Sequence, residues 1–259
     1  MNFVEDLLFV LKTTRIKDRD VMIQALSRDN GLLNLRANNA ISSSRYSGGL
    51  KNLALYRVKY REKEGAEIFY LDSAILEKEF EKIPIDFEKF QLSQFFCEII
   101  FKVVVSEQPA KEIFNLFYYT LSSLEKIDVN HQMVLASSFL IKFLHWYGAN
   151  PMVSICSVCK QELVLKEGLQ SIYLTPVKGG VTCGECVTDQ SGQFDFKNYM
   201  LFQKAISVPI EKFVMMVIAL NPNQEEITEL FKYLIEFMGF QVDGLSKDRF
   251  QSLSLLFKG

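Results

Sequence analysis

The sequence predicts an α+β chain. A small β module over residues 1–80 is followed by a mainly α-helical domain over 81–259, interrupted by a four-cysteine insertion at about 156–186. Three observations carry this. Short runs rich in β-branched and aromatic residues, separated by turn signals, fill the first eighty residues. After Ile83-Pro84 the apolar period changes from two to between three and four. Two C-x-x-C pairs then stand between stretches of helical periodicity.

The β runs are Val21 to Ser27, Leu32 to Ala37, Leu53 to Glu62 and Glu67 to Leu76. Between them lie Asp29-Asn30-Gly31, Ser42-Ser43-Ser44, Ser47-Gly48-Gly49 and Glu64-Gly65, which read as turns. Strands at this spacing suggest a small barrel or a compact antiparallel sheet. In the third run Tyr56, Val58 and Tyr60 share one face and Arg57, Lys59 and Arg61 the other, because strand side chains alternate. The apolar set faces the core, and the cations form a row outside.

The helical part begins with Phe87 to Val105, where Phe87, Phe90, Phe95, Phe96, Ile99 and Val103 recur at helical spacing. Pro109 opens a second helix carrying Ile113, Phe114, Phe117, Leu121 and Leu124. A third runs from about Val129 to Tyr147 and stops at Gly148, with Pro151 beyond. After the cysteines, periodicity resumes at Tyr199 to Leu220, Gln224 to Met238 and Leu245 to Phe257, punctuated by Pro222 and Gly239. The domain boundary is expected near residue 81.

Composition fits a folded chain: 259 residues, 49% hydrophobic, 23% charged, with 22 Phe for an aromatic core. No apolar run approaches a membrane span. The start, Met1-Asn2-Phe3-Val4-Glu5-Asp6, lacks the basic region of a secretory signal. The expected location is therefore the cytoplasm, where thiols stay reduced and clustered cysteines hold metal more often than they form disulfides. Net charge is only -2, yet Lys12 to Arg61 holds eleven Lys and Arg against three acids, a local balance of +8 that leaves -10 elsewhere. That asymmetry suits a polyanion partner; it also suits the solvated surface of a small β domain.

The cysteine spacing is Cys156-x2-Cys159, 23 residues, then Cys183-x2-Cys186. Each two-residue gap lets one tight turn present two thiolates to one ion, and four thiolates form the tetrahedron that Zn2+ prefers. Such a site is closed, hence structural rather than catalytic. Reduced thiols in a core, or redox chemistry of C-x-x-C, are the alternatives; the second wants a βαβ context that is not apparent here. Cys97, on an apolar helix face, reads as core packing, as do Met215 and Met216. His131 and His145 lie about four helical turns apart and cannot share an ion. Glu225 and Glu226 open a helix, where acids are expected. There is no phosphate-binding loop, no nucleophile elbow and no catalytic constellation, so the chain does not read as an enzyme.

With these residues in place the chain resembles the RecO family of bacterial recombination mediators. Three stretches carry the resemblance. The first is Asp29-Asn30-Gly31-Leu32-Leu33-Asn34-Leu35-Arg36-Ala37, with Ser44-Arg45 and Gly48-Gly49-Leu50 after it. The second is Phe139-Leu140-Ile141-Lys142-Phe143-Leu144-His145-Trp146-Tyr147-Gly148, leading through Pro151 to Cys156-Ser157-Val158-Cys159. The third is Tyr173-Leu174-Thr175-Pro176-Val177-Lys178-Gly179-Gly180-Val181-Thr182-Cys183.

The resemblance implies an N-terminal OB-fold and a helical domain bearing the zinc knuckles. It implies binding of single- and double-stranded DNA, annealing of complementary strands and help in loading RecA. The implied partners are RecR and the acidic C-terminal tail of the single-stranded DNA-binding protein. In one departure, Asn38 and Ile41 stand near where the family carries a lysine and arginine pair.

The expected phosphate contacts are Arg36, Arg45, Lys51, Arg57, Lys59 and Arg61, with Tyr46 in the basic loop as a base-stacking ring. A second function class is a protein-interaction adaptor. Its aromatic helices would accept an acidic-hydrophobic peptide, with Lys102 or Lys142 at the rim.

Overall fold

A computed structural model describes residues 2–16, 18–46, 49–62, 65–106, 108–152, 154–163, 172–188, 192–194, 204–221, 223–245 and 250–253. The N-terminal part folds as five strands: β1 (Asn2–Arg15), β2 (Val21–Ser27), β3 (Gly31–Ala37), β4 (Leu55–Glu62) and β5 (Phe69–Lys78). They close into a barrel in the order β1-β2-β3-β5-β4, with β4 returning to β1. All neighbours are antiparallel except β3 and β5, which run parallel. This five-stranded closed arrangement is that of an OB-fold.

The sequence reading omits β1, for a physical reason. β1 is shared: its first half pairs with β4 and its second half with β2, with a register shift between Val10 and Lys12. Leu8 and Val10 point into the barrel core. Phe9 on the opposite face is also buried, with its ring centroid 5.0 Å from Phe114 and 5.1 Å from Phe117. A strand covered on both faces loses the polar alternation by which strands are recognised.

The hairpin that joins β2 to β3 depends on Gly31. Its φ is +67°, and a Cβ there would lie 2.1 Å from the Val105 carbonyl oxygen. Only glycine fits both the left-handed backbone and that approach. A buried polar group pins the same corner. The Asp6 carboxylate accepts from the Ser27 hydroxyl, from Asn30 Nδ2 at 3.0 Å and from the Leu7 amide at 2.7 Å.

Three helices follow: α1 (Phe87–Val103), α2 (Lys111–Leu124) and α3 (Gln132–Tyr147). Asp86 caps α1 by accepting from the Lys89 amide at 3.1 Å. Gly148, in the left-handed conformation, ends α3 as the sequence anticipates. The expected boundary near residue 81 is where strand gives way to helix. The chain's two compact units divide later, at Met1–Phe117 and Tyr118–Gly259.

In the second unit, α3 packs against α4 (Ile210–Ala219) and α5 (Gln224–Gln241) around Phe139, Phe143, Phe213 and Phe231, all buried. A small sheet joins β6 (Ile172–Thr175) to β7 (Gly180–Thr182) and β8 (Gly192–Phe194) in the order β7-β6-β8.

Two expectations need correction. The helix read from Tyr199 to Leu220 is not continuous: residues 204–207 are helical, and α4 starts afresh after Pro209, which cannot donate a helical N–H. Met215, expected in the core, is 62% exposed, because α4 buries Phe213, Val214 and Val217 instead. Of the same readings, residues 199–203, Pro222, 246–249 and 254–257 lie outside the described residues, as do Ser47, Gly48 and Glu64 of the predicted turns. Among the described residues, no helix is long and apolar enough to cross a membrane.

Candidate metal centre and nucleic-acid interface

The four cysteines converge. Cys156, Cys159, Cys183 and Cys186 place their sulfurs within 4.8 Å of one another, and Cys159 Sγ stands 3.8 Å from Cys183 Sγ. Four sulfurs about 2.3 Å from a tetrahedral zinc would be about 3.8 Å apart, so the cluster is close to ligating geometry.

Two turns make it. In the first, Lys160 adopts φ +63° and its amide donates to the Cys156 carbonyl at 3.0 Å, folding Cys159 back toward Cys156. In the second, residues Gly184–Cys186 form a 3-10 turn in which the Cys186 amide donates to the Cys183 carbonyl at 3.0 Å. The two halves are tied by backbone hydrogen bonds from Ser157 to Val181 at 2.8 Å, from Val181 to Met152 at 2.8 Å and from Met152 to Gly179 at 3.0 Å. Gly180 permits that approach: a Cβ on it would sit 2.3 Å from the Met152 carbonyl oxygen.

The thiols differ electrostatically. Burial raises the Cys156 pKa, but amide donors from Cys183, Cys159 and Val158 outweigh it and bring the thiol down to about 6. Cys186 is pushed up to about 12, chiefly by the neighbouring Cys183. Cys156 therefore ionises more readily than Cys186, and several thiolates held side by side need a cation between them. A bound metal supplies that charge. The set can hold a metal ion, and its soft, closed, four-sulfur chemistry is the kind that fits zinc. The lone fifth cysteine, Cys97, is buried in α1 with its pKa raised by burial, as core packing requires.

On the barrel, the alternation predicted for β4 holds: Tyr56, Val58 and Tyr60 are buried in the core, while Arg57, Lys59 and Arg61 face outward. Each outward cation has an acidic partner on a neighbouring strand. Arg57 Nε lies 2.7 Å from Glu77, Lys59 Nζ 3.9 Å from Glu5, and Arg61 3.3 Å from Asp72. Lys51 Nζ lies 2.7 Å from Glu79. Arg36 lies 2.7 Å from Asp20, with its Nε buried and unpartnered among the described residues. Arg45 donates to the Ser43 hydroxyl and the Asn38 carbonyl. Four acids outside the basic stretch, Glu5, Asp72, Glu77 and Glu79, thus meet half of its local excess of +8, which a count along the chain cannot reveal.

Tyr46 requires a correction. Expected as an exposed stacking ring, it is only 3% exposed, sits in the barrel core, and donates its hydroxyl to the Leu71 carbonyl at 3.2 Å. The basic loop folds back over the barrel and forms a bridge from Tyr46 to Ala74, so the ring fills space inside. A ring that does lie among the outward cations is Phe3 of β1, with Lys59 Nζ 5.0 Å and Arg61 Cζ 5.8 Å from its centroid. It went unseen because β1 did.

Of the two residues expected to hold a peptide, Lys102 is exposed in the last turn of α1. Lys142 is half-buried on α3, its Nζ donates to the Ile206 carbonyl at 3.4 Å, and burial lowers its pKa. The two belong to different compact units. His145 is exposed beside Asn150 Oδ1 at 3.1 Å.

Two family models match this chain. A family model described as Recombination protein O N terminal matches residues 1–80, and one described as Recombination protein O C terminal matches residues 85–249. Among curated proteins, the chain is 28% identical to the DNA repair protein RecO of Caldanaerobacter subterraneus subsp. tengcongensis, over 72% of each chain. It is 27% identical to the DNA repair protein RecO of Desulfatibacillum aliphaticivorans over 68% of this chain and 69% of that one. With the protein of the same name from Desulfosudis oleivorans it shares 24% identity over 71% of each.

Proposed function

The chain belongs to the RecO family of DNA repair and recombination proteins, and from that premise we propose that it is a non-enzymatic mediator acting in the cytoplasm. It binds single- and double-stranded DNA through the barrel, anneals complementary strands and helps load RecA onto strands coated by the single-stranded DNA-binding protein. RecR and the acidic tail of that coating protein are its partners. Zinc in the four-cysteine centre is structural.

One observation supports the DNA reading above the rest: an OB-type barrel carries a row of outward cations, Arg57, Lys59 and Arg61, on one strand. Annealing needs no catalytic group. Cations that neutralise phosphates on two strands reduce the repulsion that keeps the strands apart. The ion pairs on the row are no obstacle in themselves, since exposed pairs contribute only about 0–1 kcal/mol and a phosphate can displace a carboxylate.

The test is the triple variant Arg57→Glu, Lys59→Glu, Arg61→Glu, checked for fold by circular dichroism. Loss of binding to a labelled single strand is expected. Unchanged affinity in the folded variant would sink this assignment of the phosphate contacts.

A second reading is a protein-interaction adaptor with little DNA affinity, in which Lys102 or Lys142 meets an acidic-hydrophobic peptide. The observation in its favour is the same pairing: every cation of the β4 row already has a carboxylate. Tight peptide binding by a protein that ignores DNA at low salt would select it.

A further inference from the structure

We propose that the outer row Phe3–Arg61–Tyr70–Arg36 is a stacking platform that selects unpaired DNA over duplex. This rests on the DNA-binding reading above and deepens it.

The row follows from strand register. Phe3 of β1 stands opposite Arg61 of β4, Arg61 opposite Tyr70 of β5, and Tyr70 opposite Arg36 of β3. Four adjacent strands each contribute one outward residue, and aromatic alternates with guanidinium. Strands are about 4.8 Å apart, so the two rings lie about 10 Å from one another with Arg61 between them. Both rings face solvent: Phe3 is 57% exposed and Tyr70 43%.

The position in the fold adds to this. Phe3 is near the start of β1, Arg61 near the end of β4, Tyr70 near the start of β5 and Arg36 near the end of β3. The row therefore runs obliquely across the barrel wall, because β3 and β5 are parallel and the end of one meets the start of the other. Arg61 and Tyr70 stand on the two strands that the β4–β5 connection joins, and Asp20, which precedes β2, pairs with Arg36. OB barrels take oligonucleotides over the β2–β3 face and the β1–β2 and β4–β5 loops, and the row meets that face at Arg36 of β3.

The charge on this face argues for discrimination. Arg36, Arg57, Lys59 and Arg61 are matched by Asp20, Glu77, Glu5 and Asp72. A duplex presents mainly phosphates to such a surface, and a face of balanced charge attracts phosphates weakly. A single strand presents phosphates and unstacked bases, so the guanidiniums and the rings both find partners. Ring stacking then becomes the part of the affinity that duplex cannot share.

The experiment uses the full chain and fluorescence anisotropy, with a labelled mixed-sequence single strand, its duplex, and a single strand containing abasic sites. In the Phe3→Ala, Tyr70→Ala double variant, single-strand affinity falls by roughly 25-fold or more, about five-fold or more per ring. Duplex affinity stays within about two-fold. Wild-type protein binds the abasic strand about as weakly as the double variant binds the intact one. Phe3→Tyr and Tyr70→Phe retain single-strand affinity. If the wild type binds the single strand and the folded double variant binds it equally well, or loses duplex to the same extent, the platform is refuted while the DNA-binding reading stands. If the wild type binds neither strand nor duplex at low salt, the underlying reading fails and takes the platform with it.

Discussion

Replacing Gly180 by alanine tests how the metal centre is assembled. Gly180 lies where the lead-in to the first cysteine turn runs against the strand that leads to the second. A Cβ there would be 2.3 Å from the Met152 carbonyl oxygen and 2.7 Å from its nitrogen, whereas ordinary contact begins at 3.4 Å. Both are backbone atoms, so Met152 and its neighbours must retreat by about 1 Å. The Val181–Met152 hydrogen bond, now 2.8 Å, would stretch past bonding range, and Cys156, four residues on, would be displaced with it. A metal site tolerates errors of about 0.2 Å in ligand distance. Displacing one pair of sulfurs against the other by several times that lowers zinc affinity about 10- to 100-fold, the usual effect of disturbing the groups behind the ligands. Competition with a zinc-binding indicator dye measures it, with far-UV circular dichroism confirming that α3 to α5 persist. Wild-type zinc affinity in a folded Gly180→Ala protein would refute the reasoning.

Four further outcomes are expected. Converting Glu5, Asp72 and Glu77 to their amides frees three cations, which should tighten single-strand binding and steepen its log–log salt slope by up to about 0.7 per cation; an unchanged slope contradicts the pairing argument. Thiol titration of the zinc-loaded protein should find no rapidly reacting cysteine. A chelator should release Cys156, Cys159, Cys183 and Cys186, and a denaturant Cys97 as well; early labelling of Cys97 would be inconsistent with its burial. Gly31→Ala should cost about 2–4 kcal/mol in urea unfolding, from the left-handed backbone and the clash with Val105; a cost under about 1 kcal/mol rejects that close approach. Burial raises the Asp6 carboxyl above its ordinary 3.8, against the hydrogen bonds from Ser27, Asn30 and Leu7. The folded chain therefore keeps that proton to higher pH than the unfolded chain, and the Asp6 contribution to stability falls as pH rises from 3.8 through the folded value. Asp6→Asn removes the fall, and a difference between wild type and variant that does not vary with pH argues against it.

What could be read along the chain and what could not divide on one physical line. Cys156, Cys159, Cys183 and Cys186 were legible because a two-residue gap is a local constraint that the backbone must satisfy in sequence. Arg57, Lys59 and Arg61 were legible for the same kind of reason, since alternation along one strand sets the face each residue takes. The charge partners of that row were not. Glu5, Asp72 and Glu77 come from other strands, and only barrel closure brings them within reach of β4. Tyr46 was misread because a loop residue amid cations suggests solvent, while the folded loop turns its ring into the core. β1 was missed because Phe9 and Leu8, on opposite faces, are both covered, and Phe3 and Tyr70 gained meaning only once register set them in one row.

The most direct test of the central proposal is an anisotropy titration of a labelled single strand at several salt concentrations, with zinc content assayed on the same sample. The proposal predicts zinc-loaded protein that binds the strand and weakens along a linear log–log salt slope. Zinc-loaded, folded protein that fails to bind even at low salt would contradict it.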